Sequence, residues 1–255
     1  MRGQFNLLEN HKGQLIREFF DFLSYFSFYI NKKSVKNLKI SLFVSSFFVL
    51  FSVNISAQEI IKRDPVISSF IGQISSDTLS AYVQKLVTFG TRSTLSNTTD
   101  QKTGIGASRK WVLDKFLEFS KKSEGRMTAY LDKWTLEPDG RRIDTKIEME
   151  NVMAVMKGTD PTDNRIFMVS GHIDSRVTDV MNRTADAPGA NDDGSGTVAV
   201  IELARVLAAS KFPATVIFTV FSGEEQGLLG ANYLAKKAKA ENWNLVALLN
   251  NDIMG

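Results

Sequence analysis

The sequence predicts an α/β protein built on a mostly parallel sheet with helices on both faces. Three observations carry this. Strand-like and helix-like stretches alternate over roughly the last 100 residues, the order expected of strands joined by crossover helices. Three short apolar runs, 166–170, 215–221 and 245–250, read as buried strands, as parallel sheets require. The stretches between them carry helical spacing and end in glycine or polar residues.

Taken in order, apolar residues recur at helical spacing across 77–89 (Leu79, Tyr82, Val83, Leu86, Val87), and Gly90 stops that helix. The polar stretch 91–106 reads as a loop. Its Gly104-Ile105-Gly106 makes no dinucleotide fingerprint, because no strand precedes it. A second helix is expected over 107–121. Stretches 127–136 and 147–156 read as strands, with Pro138-Asp139-Gly140 a turn between them. After the strand 166–170 comes a helix over 197–209, entered through Gly194-Ser195-Gly196. A strand rich in β-branched and aromatic residues covers 215–221, followed by a helix over 228–240 and a last strand over 245–250. No internal repeat or low-complexity tract interrupts the series.

The chain has 255 residues, 43% hydrophobic and 23% charged, an ordinary globular composition. That length suits one large domain or two small ones. The net charge of +3 comes from the N-terminal piece: residues 1–57 hold seven Lys/Arg and three Asp/Glu, leaving 24 basic and 25 acidic residues beyond them. No basic patch argues for nucleic acid. With no cysteine, disulfides, thiolate ligands and thiol nucleophiles are excluded.

Lys32, Lys33, Lys36 and Lys39 precede an apolar stretch 40–53, followed by Ile55-Ser56-Ala57. A basic region, a short apolar region and small residues make a signal peptide over 32–57, which implies export to a secreted or periplasmic location. The apolar run is shorter than the about 20 residues that a spanning helix needs, so membrane association is expected only through an uncleaved leader. Residues 1–31, with the aromatic-rich stretch 19–30, are either the product of an upstream start or a membrane-associating extension. The first reading is favoured. Residues 58–255 are then the working domain.

The chemistry lies in four segments that each follow an apolar run or a glycine-rich turn. His172-Ile173-Asp174-Ser175 follows the strand 166–170. A histidine there is either a core residue or a ligand; Asp174 favours the ligand, since its carboxylate can accept from the second ring nitrogen and fix the tautomer. Ala190-Asn191-Asp192-Asp193-Gly194-Ser195-Gly196 opens a helix. An N-cap explains one of its acids, but not the glycine density, which suits a backbone bent to aim a carboxylate inward. Ser222-Gly223-Glu224-Glu225 follows the strand 215–221. It is either a solvated turn or a pair with divided roles, one glutamate on a metal and its neighbour free as a general base. Asp252 follows the last strand and is weak alone.

Together they mean more. Asp192, Glu225 and Asp252 contribute three negative charges, and Glu224 a fourth. Gathering them at one sheet edge costs several kcal/mol unless cations compensate. Two divalent ions would balance the charge, and imidazole with carboxylates points to zinc. Two such ions roughly 3.5–4 Å apart activate water and clamp transition-state oxygens.

Those four segments, with Gln226-Gly227-Leu228-Leu229-Gly230 after the glutamates and Asn251-Asp252-Ile253-Met254-Gly255 at the end, closely resemble metallopeptidase family 28. That family includes secreted two-zinc aminopeptidases and plasma glutamate carboxypeptidase. The resemblance covers about residue 75 to the end and implies a central mixed sheet and a zinc pair, the zinc exopeptidase fold. It implies that His172 and Asp252 bind one zinc, Glu225 the other, and Asp192 bridges both. Glu224 would be the general base and Asp174 the partner behind His172. The Asp192–Asp193 peptide would be cis. A peptide is the implied substrate, and removal of N-terminal residues the implied reaction.

One departure stands out. The family's fifth ligand is a histidine downstream of the Asn-Asp-Ile-Met-Gly segment, and here the only other histidine is His11. The expectation is a C-terminally truncated chain with one three-ligand site and an open sheet flank. Three rivals to the aminopeptidase follow: a glutaminyl cyclase using one zinc, a non-catalytic binding relative such as the transferrin-receptor ectodomain, and an inactive fragment. Asn97-Thr98-Thr99 and Asn182-Arg183-Thr184 fit the glycosylation pattern, a common triplet.

Overall fold

The computed structural model describes residues 63–255; the leader read over 32–57 and the extension 1–31 lie outside the described residues. The described residues form one compact unit. Its elements run α1 (Pro65–Gln73), α2 (Ser76–Val87), α3 (Gly104–Ser120), β1 (Met127–Leu136), β2 (Ile147–Met156), β3 (Arg165–His172), α4 (Gly194–Leu207), β4 (Thr215–Phe221), α5 (Leu229–Ala240) and β5 (Asn244–Asn250).

The five strands form one sheet in the order β1-β2-β4-β3-β5. β1 pairs with β2, and β2 with β4, antiparallel; β3 lies parallel to both β4 and β5. The sheet is therefore mixed, and its parallel half is the half that matters. The register sets His172 opposite Phe221, and Ser170 opposite Asn250. The carboxyl ends of β3, β4 and β5 thus finish side by side, and each of the predicted segments starts there or in the loop that opens α4.

Helices cover both faces. On one, Val112, Phe116 and Phe119 of α3 and Val200, Ile201 and Ala204 of α4 pack on Val152, Ala154, Met156, Phe218 and Val220. Alternate residues of the same strands turn to the other face, where Met153, Met168, Ile217 and Phe221 meet Leu234 of α5. Among the described residues that face has a single helix, and β5, at the sheet edge, leaves Leu245, Val246, Leu248 and Leu249 exposed.

Three features differ from the sequence reading by more than two residues, for identifiable reasons. α1 was not expected: it has no buried residue and is held by its ends, with Asp64 accepting from the amides of Val66 and Ile67 and Pro65 preset for the first turn. α3 begins at Gly104, inside the stretch read as a loop. A side chain at Gly106 would sit 2.1 Å from the Thr98 carbonyl oxygen, so glycine here permits close packing. α4 likewise begins at Gly194 rather than Thr197. A Cβ at Gly196 would lie 2.3 Å from the Asn251 carbonyl oxygen, so that glycine lets α4 approach the segment carrying Asp252.

Candidate metal centre

His172 ends β3 with its ring almost wholly buried. Nδ1 lies 3.1 Å from the carbonyl oxygen of Asp174. A carbonyl only accepts, so Nδ1 donates and Nε2 keeps its lone pair for a ligand. Nε2 faces Asp192 Oδ1 at 3.3 Å, Asp252 Oδ1 at 3.8 Å and Glu224 Oε2 at 3.9 Å. Donor atoms of His172, Asp192 and Asp252 all lie within 4.8 Å of one another. Zinc held by nitrogen and oxygen donors at about 2.0–2.1 Å in a tetrahedron spaces them by about 3.3 Å, so this triad fits one such ion with little movement.

The adjacent acids divide their work. Asp193 is the buried N-cap of α4: Oδ1 accepts from the Gly196 amide at 2.8 Å, and Oδ2 from the His172 amide, also at 2.8 Å. Burial raises its pKa to about 6, against the hydrogen bonds that lower it. The peptide joining it to Asp192 is cis. Asp192, half-exposed, is the one free to meet His172. The Asp252 segment is tied down twice: both Asn251 nitrogens donate to the Ser170 carbonyl, and the Met254 amide donates to Ser195 Oγ at the start of α4.

Asp174 does something the sequence did not reveal. Its carboxylate stands 3.6 Å from Nδ1, beyond hydrogen-bond reach, and acts on the ring by charge. Its Oδ1 accepts from the amides of Gly223 (2.9 Å) and Glu224 (3.1 Å); Oδ2 accepts from the Glu225 amide (3.0 Å) and Thr94 Oγ1 (2.8 Å). Burial alone would raise the pKa of this fully enclosed acid, but His172 and these donors hold it below the ordinary value. For His172, burial would lower the pKa, yet the Asp174 charge, then Asp193 and Glu224, raise it to about 9. Metal binding at Nε2 therefore competes with a proton.

Glu224 and Glu225 part company after this shared anchor. Glu224 points to the triad, and burial, then the charges of Asp174, Asp252 and Asp192, raise its pKa. Glu225 stands outside the triad. Its carboxylate lies 3.3 Å from Arg176 Nε, and burial with the Asp192 charge raises its pKa to about 7. An apolar groove of about 360 Å³, between α5 and β5, opens onto His172, Glu224 and Asp252.

Sequence reasoning missed Arg92. It lies in the stretch read as a polar loop, yet it is fully buried. Nothing local marks it, because arginine is rarely buried and its acceptors are carbonyls from distant segments.

Residues 151–255 match the model of Peptidase family M28. The chain is 43% identical over 189 residues to a probable zinc metalloprotease of Leptosphaeria maculans, covering 74% of this chain and 43% of that one. It is 43% identical over 192 residues to a probable zinc metalloprotease of Pyricularia oryzae, covering 75% and 38%. The chain thus spans about two fifths of the length of these curated relatives. Among solved structures, LapB from Legionella pneumophila aligns with a TM-score of 0.59 at 21% identity, over 75% of this chain and 47% of that one. A Zn-dependent exopeptidase from Parabacteroides distasonis aligns at 0.56 and 21%, over 72% and 63%. A glutaminyl cyclase from Porphyromonas gingivalis aligns at 0.56 and 21%, over 72% and 60%. At this identity the structural matches establish the fold, a mixed sheet flanked by helices.

Proposed function

Residues 151–255 belong to peptidase family M28, and from that premise we propose that the chain carries the metal-binding part of a zinc-dependent exopeptidase that removes residues from the N-termini of peptides. The support is the convergence of His172 Nε2, Asp192 and Asp252 within 4.8 Å, with Glu224 Oε2 3.9 Å from the same nitrogen. The choice of the N-terminal end rests on the family resemblance.

In this proposal His172, Asp192 and Asp252 hold one zinc, and Asp192 with Glu225 contributes to a second. When bound, the metal supplies Lewis acidity, which lowers the pKa of water and polarises a carbonyl. Glu224 then acts as the base. Its environment favours the protonated form more than water does, so it can take a proton from the attacking water and return it to the departing amine. The water oxygen bonds to the scissile carbon as the C–N bond breaks. Asp174 holds the Glu224 backbone for that transfer and fixes the ring of His172. The leader read over 32–57 assigns this activity to an exported protein acting on peptides.

A second reading is favoured by one observation. Among the described residues only one three-donor cluster forms, and Glu225 faces Arg176 instead of joining it. A single-zinc glutaminyl cyclase, the alternative reaction on this fold, needs no more than that. The zinc-loaded chain should release amine from amino-acid amides or anilides and lose that activity to a chelator. Cyclisation of glutaminyl peptides without amide hydrolysis would overturn the exopeptidase reading in favour of the cyclase.

A further inference from the structure

We infer that Arg92 is a positioning residue of the metal centre, a buried clamp and counter-charge that sets Asp192 against His172; this rests on the zinc-centre reading above.

Its guanidinium is fully enclosed and donates to four carbonyl oxygens: Ile173 at 2.8 Å, Leu86 at 3.3 Å, Pro188 at 2.5 Å and Gly189 at 2.9 Å. The acceptors come from three separate segments. Ile173 directly follows the ligand His172; Pro188 and Gly189 open the turn that leads to Asp192; Leu86 lies in the last turn of α2, where its carbonyl also accepts the Phe89 amide at 3.2 Å. One planar fork therefore ties the end of β3 to the turn carrying the neighbouring ligand. Ser175 adds a second tie, donating from Oγ to the Ala187 carbonyl at 2.6 Å and accepting from the Arg92 amide at 3.1 Å. Gly189 has a positive φ of 47°, and a Cβ there would meet the Asp192 carbonyl oxygen at 2.5 Å, Ser175 Cβ at 2.6 Å and Arg92 Nη2 at 3.0 Å, so glycine lets the turn close on all three.

The charge matters as much as the fork. Among the described residues no carboxylate pairs with Arg92 by contact; the acids whose charges act on it are Asp174, Asp193 and Asp192. A cation with no contact partner in a dry interior is costly unless it faces a negative field. Here that field is the acidic centre itself, so Arg92 offsets part of the repulsion that opposes bringing those carboxylates together. Lysine in its place would keep the charge but lose the planar multi-donor geometry.

The test uses the full chain and Zn²⁺ or Co²⁺ alone. R92K should remain folded by circular dichroism, bind Zn²⁺ about 10–100-fold more weakly by calorimetry, and change the visible spectrum of bound Co²⁺. I201V, a buried α4 change away from the ligands, serves as the control for general destabilisation and should alter neither. Equal Zn²⁺ affinity and an unchanged Co²⁺ spectrum in folded R92K would overturn the inference. Should R92K fail to fold, S175A removes the adjoining tie between the Arg92 amide and the Ala187 carbonyl: weakened Zn²⁺ binding supports the clamp, and unchanged binding overturns it. Absence of binding by the wild-type chain sinks the zinc-centre reading itself, and this inference with it.

Discussion

Asp174 lies directly beneath Glu224, accepting its backbone amide at 3.1 Å while the Glu224 side chain reaches toward His172. The residue behind the histidine thus also anchors the Glu224 turn: its carbonyl oxygen meets the ring and its carboxylate meets the turn.

Replacing Asp174 by asparagine should therefore affect two things at once. The amide nitrogen cannot accept, so two of the four donors that meet this carboxylate, either the Gly223 and Glu224 amides or the Glu225 amide and the Thr94 hydroxyl, are left unsatisfied at a cost of about 1–3 kcal/mol. With the Glu224 turn loosened, turnover should fall by about 10–100-fold. A thermal melt and kcat/KM measured on the same sample check both, and full activity in D174N would refute the anchor.

Glu224→Gln keeps size and hydrogen bonding but cannot take a proton. Zinc content should stay at the wild-type level while turnover drops by about 100-fold or more. Zinc analysis alongside steady-state rates decides the point, since loss of metal would instead make Glu224 a ligand.

The triad predicts an ordering of ligand changes. H172A and D252N should each abolish tight binding of the first zinc, because each removes one of three donors. E225Q should leave that first ion bound, since Glu225 stands outside the cluster beside Arg176. Calorimetric stoichiometry for the three variants checks it; loss of the first ion in E225Q would contradict the geometry.

Stability should carry a pH signature from the far side of α4. Glu202 is buried, accepts from Arg205 at 2.7 Å through both oxygens and accepts the Ser75 amide at 2.9 Å. Burial alone would raise its pKa, but these partners bring it below 4.5. A depressed folded pKa contributes stability above the unfolded value that is lost as pH falls through the folded one. E202Q should therefore lower Tm at about pH 7 by about 4–8 °C, for a loss of about 2 kcal/mol. The gap between wild type and variant should narrow as pH falls below the ordinary glutamate range, and melts from neutral to acid pH test it.

Much of the architecture was legible from local pattern. The strands 127–136, 147–156 and 215–221 have the limits read from alternation and β-branched content, because those signals are short-range. α1 carries apolar residues at helical spacing (Val66, Ile67, Phe70, Ile71), a signal the sequence reading passed over, and the structure leaves most of them exposed. The starts of α3 and α4 were read late because glycine was taken as a break, where its role is to let backbones approach. In the centre, the residue types at strand ends were visible, but the division of work was not. That Asp193 caps the helix while Asp192 turns to His172 depends on a few ångströms of backbone placement.

What the sequence determined on its own was which segments end in metal-liking side chains and which apolar spacings build strands and helices, since both are properties of neighbours along the chain. What only the tertiary structure decided was their meeting. The parallel register brings the ends of β3, β4 and β5 to one edge, Asp174 reaches under the Glu224 turn, and Arg92 is drawn inside by carbonyls from three distant segments. Each of these joins residues far apart in the chain, and side-chain direction across such gaps is set by packing and hydrogen-bond satisfaction rather than by local propensity.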